Sequence, residues 1–191
     1  MLNPEFSHFC QNWLKKARAY SGKTLEEHFD KFFTLYVVYN RAYAEATFWL
    51  AREKQIKIEK RTSFPDAEAA TSYILKFVTA KRFLAEIDAA KECRKAIDEI
   101  CRFIQGKRFS IKLDMIYGEP QPKKDEVLRN NLQSGNANER AHAVLELIYA
   151  VRCNTFHGHK AFHPIQKDIL QPISILLERT IEIVLQVLNE K

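Results

Sequence analysis

Apolar residues recur every three or four positions along almost the whole chain, a spacing that predicts helix nearly throughout. Asn3-Pro4-Glu5 opens a first helix with an asparagine cap and a proline in the first turn, and Ser21-Gly22 closes it. Thr24 with Glu27 three residues on is a capping box, which predicts a second helix from Leu25 to about Gln55. Its apolar stripe is aromatic: Phe29, Phe32, Phe33, Tyr36 and Tyr43 fall at helical spacing, with Tyr39, Phe48 and Trp49 beside them. Rings at that spacing read as core rather than as a base-stacking surface. Pro65-Asp66 opens a further helical pattern to about Phe103, as one helix or two. Residues 106–136 break the rhythm, and GKRFSIKLDMIYGEPQPKKD reads as a short strand pair or an irregular loop. Helix resumes from Asn138 to His157 and stops at Gly158; Pro164 starts the last helix, to about Asn189. The expected fold is all-α, a single helical domain over residues 1–191 with an N-terminal helix within 1–22 and an insertion at 106–136. No internal repeat is visible.

The helix ending at His157 breaks the apolar pattern in one place. With Val144 set at zero, Thr155, Ile148, Ala141, Leu145, Phe156 and Tyr149 span an arc of roughly 140°. Val151 and Leu147 extend it to roughly 200°. Arg152 falls inside this arc, between Ile148 and Leu145. A guanidinium there needs hydrogen-bonding partners or a water-filled cleft. An arc so wide also packs on two sides, one of which could be a second subunit. The plain reading pairs Arg152 with a buried glutamate and makes His157 a C-terminal cap, where the helix dipole favours its charged form.

Composition narrows the classes. The chain holds five Gly and six Pro in 191 residues, which disfavours an all-β fold. Its net charge of +6 suits a polyanionic partner without demanding one. Cys10, Cys93, Cys101 and Cys153 form no C-x-x-C pair, and the N-terminus lacks the basic start and apolar run of a secretory signal, so a cytoplasmic protein with reduced thiols is expected. The most apolar stretch, ILQPISILLERTIEIVLQVL, carries Glu178, Arg179 and Glu182 and does not read as a membrane span.

The segment Arg152-Cys153-Asn154-Thr155-Phe156-His157, followed by Gly158, resembles the R-x4–6-H signature of the HEPN superfamily. The surroundings agree: the capped helix ERAHAVLELIYAVRCNTFHG, the apolar last helix from Pro164, and a long aromatic helix with VVYNRAY upstream. The resemblance covers residues 138–190. It implies a metal-independent endoribonuclease acting as a homodimer, with two copies of the motif facing each other. His157 would then move protons at the ribose 2′-OH or the leaving 5′-oxygen, and Arg152 would stabilise charge on the phosphorane. Asn154 would be a third catalytic member; the position directly after the arginine, often polar in the family, is Cys153 here. The family's H-x-Y nucleotidylation site is not matched, because His159 stands where the tyrosine would be. A setting in stress or antiphage defence, as a toxin with an antitoxin or regulatory partner, follows from the resemblance alone.

His159, Lys160 and His163 are the candidate substrate-binding residues of the loop beside the cleft. His157, His159 and His163 form H-x-H-x3-H, but no cysteine or acid is interleaved and no common zinc spacing is matched, so no metal and no cofactor are expected. Cys153 reads as an apolar filler rather than a nucleophile. Lys15/Lys16/Arg18, Lys57/Lys60/Arg61 and Lys107/Arg108 read as solvated faces, or as phosphate contacts if the substrate is RNA. A non-catalytic HEPN-like module that binds a partner protein or nucleic acid is the alternative.

Overall fold

Side-chain caps set the first two helices. Glu5 N–H donates to Asn3 Oδ1 (2.9 Å) at the start of α1 (Pro4–Arg18). Glu27 N–H donates to Thr24 Oγ1 (3.2 Å) at the start of α2 (Leu25–Arg52), while the Glu27 carboxylate accepts from Ser21 and from Lys23 N–H. The structure, a computed structural model, describes residues 3–58, 64–107, 109–114, 116–156 and 163–191. It is all-α: among the described residues the only strand-like pairing is an isolated bridge between Leu113 and Pro120. No helix among them is long and apolar enough to cross a membrane. All four cysteines are free and buried.

The aromatic stripe of α2 is core. Phe32, Tyr39 and Tyr43 are fully buried and Tyr36 nearly so. Their rings pack tilted or edge-to-face, with Tyr39 and Tyr43 5.2 Å apart. A buried phenol must find an acceptor, and this requirement shapes the next segment. α3 (Asp66–Glu68) passes into a π-helical turn (Ala69–Tyr73) and then α4 (Ile74–Val78). The Tyr39 hydroxyl donates to the Ala70 carbonyl in that turn (2.5 Å).

The pattern from Asp66 to Phe103 is more broken than its periodicity suggests. Thr79 adopts φ +72°, separating α4 from α5 (Ala80–Ala89), and Ala90 is extended before α6 (Lys91–Gln105). Neither break falls at glycine or proline, so neither was visible as punctuation. The 106–136 insertion also differs from expectation: it contains α7 (Pro122–Leu132). Pro122 provides the start, and Leu128 and Leu132 bury the inner face. Buried Asp125 ties the preceding loop to this helix, accepting from Ile111 N–H, Lys112 N–H (2.7 Å) and the Ser110 hydroxyl.

α8 (Ala137–Phe156) packs against α5, α7, the π-helical turn and α9 (Lys167–Glu190). Ala141, Val144, Leu145, Leu147 and Ile148 are wholly buried and Val151 nearly so. This part of the wide apolar arc is therefore filled within one chain. It does not call for a second subunit.

Thr79 supplies a test of the chain break. A β-branched residue at positive φ stores roughly 1–3 kcal/mol of strain, while its hydroxyl accepts from Arg82 N–H at α5's start (3.4 Å). Thr79→Gly is expected to raise stability in urea by about 1 kcal/mol, because glycine relieves the strain and caps almost as well. Thr79→Ala keeps the strain and loses the cap, lowering stability by about 0.5–1 kcal/mol. A glycine variant less stable than the alanine variant would show that the backbone is not strained there.

Candidate functional site

The last turns of α8 bring Tyr149 and Arg152 onto one face, three residues apart. Opposite them stand Tyr36 and Tyr43, seven residues apart on one face of α2, and Asp66, the first residue of α3. The Arg152 guanidinium carbon lies 5.6 Å from the centre of the Tyr36 ring and 5.8 Å from that of Tyr149. Its Nη1 is 3.5 Å from Asp66 Oδ2, and the other Asp66 oxygen accepts from the Tyr43 hydroxyl (2.5 Å). Nη1 also approaches the Cys153 sulfur at 3.9 Å. The Arg152 side chain is 22% exposed, so the cation is held by protein yet reaches solvent.

The electrostatics favour a permanent positive charge at this point. Burial works against the guanidinium, but the Cys153 contact, Tyr36 and Asp66 together raise its pKa above the ordinary value. Burial pushes the Tyr36 and Tyr43 phenols far up. Tyr149 is pushed up to about 12 by burial and by neighbouring Cys153. The phenols therefore stay neutral near pH 7 and serve as ring faces and hydrogen-bond donors. Arg152 presents planar donors in a fixed orientation, suited to an oxyanion.

The expected partner of Arg152 was a glutamate; it is an aspartate 86 positions upstream in the chain. Pro65-Asp66 was legible as a helix start, but its meeting with Arg152, Tyr36 and Tyr43 was not. Asn154 goes elsewhere. It lies roughly 160° round α8 from Arg152, is 7% exposed, and donates its amide to the Ile111 carbonyl. There it borders a cavity of about 20 Å³ with Phe109 and Ile169, room for a single water. The structure thus gives Asn154 the task of fixing loop 109–114, not of joining Arg152. His163 caps the short 3-10 turn Pro164–Gln166: its Nδ1 accepts from Ile165 N–H (3.3 Å) and its N–H donates to Gln166 Oε1 (2.8 Å). His157, His159 and Lys160 lie outside the described residues. Among the described residues, no group of three His, Cys, Asp or Glu side chains is placed to hold a metal ion.

Comparison with protein-family models, with curated proteins and with solved structures returns no match.

The coupling of Arg152 to Asp66 is measurable. Both side chains are partly exposed, so the pair is expected to contribute on the order of 1 kcal/mol after solvent screening. In a urea double-mutant cycle of Asp66→Asn with Arg152→Met, the coupling energy should reach about 0.5–1.5 kcal/mol. Tyr43→Phe should cost a similar amount through the lost bond to Asp66. Strict additivity of the two single variants would mean that Asp66 does not hold Arg152.

Proposed function

We propose that the protein is a metal-independent endoribonuclease in which Arg152 stabilises the negative charge of the reacting phosphate and His157 transfers the proton. The observation that carries this reading is the guanidinium itself, clamped between two tyrosine rings and Asp66 in the last turns of α8, in the sequence context R-x4-H. A donor already oriented needs no reorganisation when charge develops, which is the most effective form of transition-state stabilisation. The ribose 2′-oxygen adjoins the scissile phosphorus and needs only a base to become the nucleophile. Its attack forms the bond to phosphorus as the P–O5′ bond breaks. The 2′ proton passes to a base, and the departing O5′ takes up a proton. The products are a 2′,3′-cyclic phosphate and a 5′-hydroxyl.

In this scheme Asp66 orients Arg152 and occupies one of its edges, so the phosphate approaches from the solvent side. Asn154 supports the loop behind α8, and His159, Lys160 and His163 remain the assigned contacts to the substrate. The reading includes a homodimer on the strength of the resemblance alone, since this part of the apolar arc of α8 is filled within the chain. It also includes the setting of a toxin or defence ribonuclease with a regulatory partner. A second reading, a non-catalytic module that binds protein or nucleic acid, is favoured by one observation: Arg152 already has a carboxylate partner.

Cleavage assays separate the two. The wild type is expected to cut RNA in EDTA, to leave cyclic phosphate ends, and to spare any bond whose ribose is 2′-deoxy. Arg152→Ala and His157→Ala should each lower the rate by on the order of 10² or more, with helical circular dichroism unchanged. Sedimentation at micromolar concentration should give twice the 22.3 kDa chain mass. Wild-type protein that binds RNA without cutting it supports the non-catalytic module. Both variants cutting like wild type would remove Arg152 and His157 from the mechanism.

A further inference from the structure

Three of the four large exposed apolar side chains among the described residues fall in one short stretch of the insertion: Ile116 (77% exposed), Tyr117 (78%) and Val127 (58%). Hydrogen bonds to Asp114 close the turn that carries the first two. Asp114 Oδ1 accepts from Ile116 N–H (3.0 Å) and Tyr117 N–H (2.9 Å). The Asp114 backbone closes the turn through Gly118 N–H and the Glu119 carbonyl, 2.8 Å each. Gly118 takes φ +70°, a conformation glycine adopts without strain. Gln121 N–H donates to the Lys112 carbonyl (2.9 Å), pinning the base of the turn. An aromatic ring is thus presented to water from a hydrogen-bonded turn, and each bond that turn already makes lowers the entropic cost of binding.

Beside this turn runs a groove of about 700 Å³, of a size that ordinarily takes a small organic ligand. Its floor includes Phe109, whose ring is braced edge-on by Phe103 (6.1 Å). Pro120, Pro122, Lys107 and Lys123 also line it. The acids nearby are already engaged. Asp125 is buried and spent on Ser110 and two backbone N–H groups, and Glu126 is paired with Arg129. Neither lysine has an ion-pair partner among the described residues, so both ammonium groups are available to an anion. Tyr117 lies three residues from Pro120, no more than about 11 Å along the chain.

We infer that this groove and the Tyr117 turn form a binding site for single-stranded RNA, with phosphates at Lys107 and Lys123 and bases against Phe109 and Tyr117. The inference rests on the ribonuclease reading for the choice of RNA. Lysines along a track of exposed or braced aromatic rings are the two parts of sequence-tolerant single-strand binding. The loop that floors the groove is tied to α8 by the Asn154–Ile111 bond. That bond lies roughly 160° round α8 from Arg152, so the groove holds a strand apart from the guanidinium.

The test is fluorescence anisotropy of the full-length chain with a labelled 12-nucleotide 2′-O-methyl oligouridine. This probe lacks the attacking hydroxyl, so binding is read independently of cleavage. Lys107→Ala combined with Lys123→Ala should weaken binding about tenfold or more and reduce the log–log salt slope by about 1.4, two single-strand phosphate contacts' worth. Tyr117→Ala should weaken binding about tenfold with the salt slope unchanged, as expected for lost stacking. All three side chains are exposed, and circular dichroism should confirm that the variants fold. Wild-type affinity in both variants overturns the site even if the protein cuts RNA. Binding that follows this pattern without any cleavage leaves the site standing and overturns the catalytic reading instead. Preference for a polyglutamate peptide over the oligonucleotide, lost in the same variants, assigns the groove to an acidic protein and overturns the inference.

Discussion

A guanidinium cannot shed its proton to suit its surroundings, so a chain that places arginine in an apolar arc must bring counter-charge and ring faces to it. Much of the arrangement around α8 follows from that constraint. Tyr36 and Tyr149 offer their faces, and Asp66 offers a carboxylate. The carboxylate needs a support of its own, which Tyr43 gives from the aromatic side of α2. Three segments distant in sequence are fastened to each other through one side chain. Tyr39 adds a second fastening of α2 to the same region through the Ala70 carbonyl.

The parts of the fold governed by local chemistry were legible in the sequence. Asn3 and Thr24 cap where capping residues should, and the aromatic stripe of α2 is buried where its spacing puts it. What escaped the sequence depends on tertiary neighbours. Thr79 takes a backbone conformation that no local rule assigns to threonine, and it is the surrounding packing that holds it there. α7 shows few apolar residues because only Leu128 and Leu132 face inward with Asp125 between elements, so its periodicity is faint. At the site, Arg152 stood out because a charge in an apolar arc is a local contradiction. Asp66, Tyr36 and Tyr43 resolve that contradiction, but each looks ordinary in its own segment.

The width of the apolar arc on α8 had two readings, and the structure favours the economical one. Four elements of the same chain surround the helix and bury it. A helix enclosed in this way is a rigid mount, with little freedom to tilt or rotate. The groups at its exit therefore inherit a fixed direction, and Asn154 extends that rigidity outward to the insertion.

The π-helical turn at Ala69–Tyr73 has a geometric consequence for the Ala70 carbonyl. Such a turn holds one residue more than the α-helix on either side of it. Excising a single residue within it would let the backbone relax into regular α-helix. Because α-helix covers the same rotation and rise with one residue fewer, the segments on either side would keep nearly the same phase. Asp66 would stay opposite Arg152, while the widened turn that presents the Ala70 carbonyl to Tyr39 would close. The extra residue thus acts locally, opening the backbone at the acceptor of Tyr39 while leaving the carboxylate ahead of it in place.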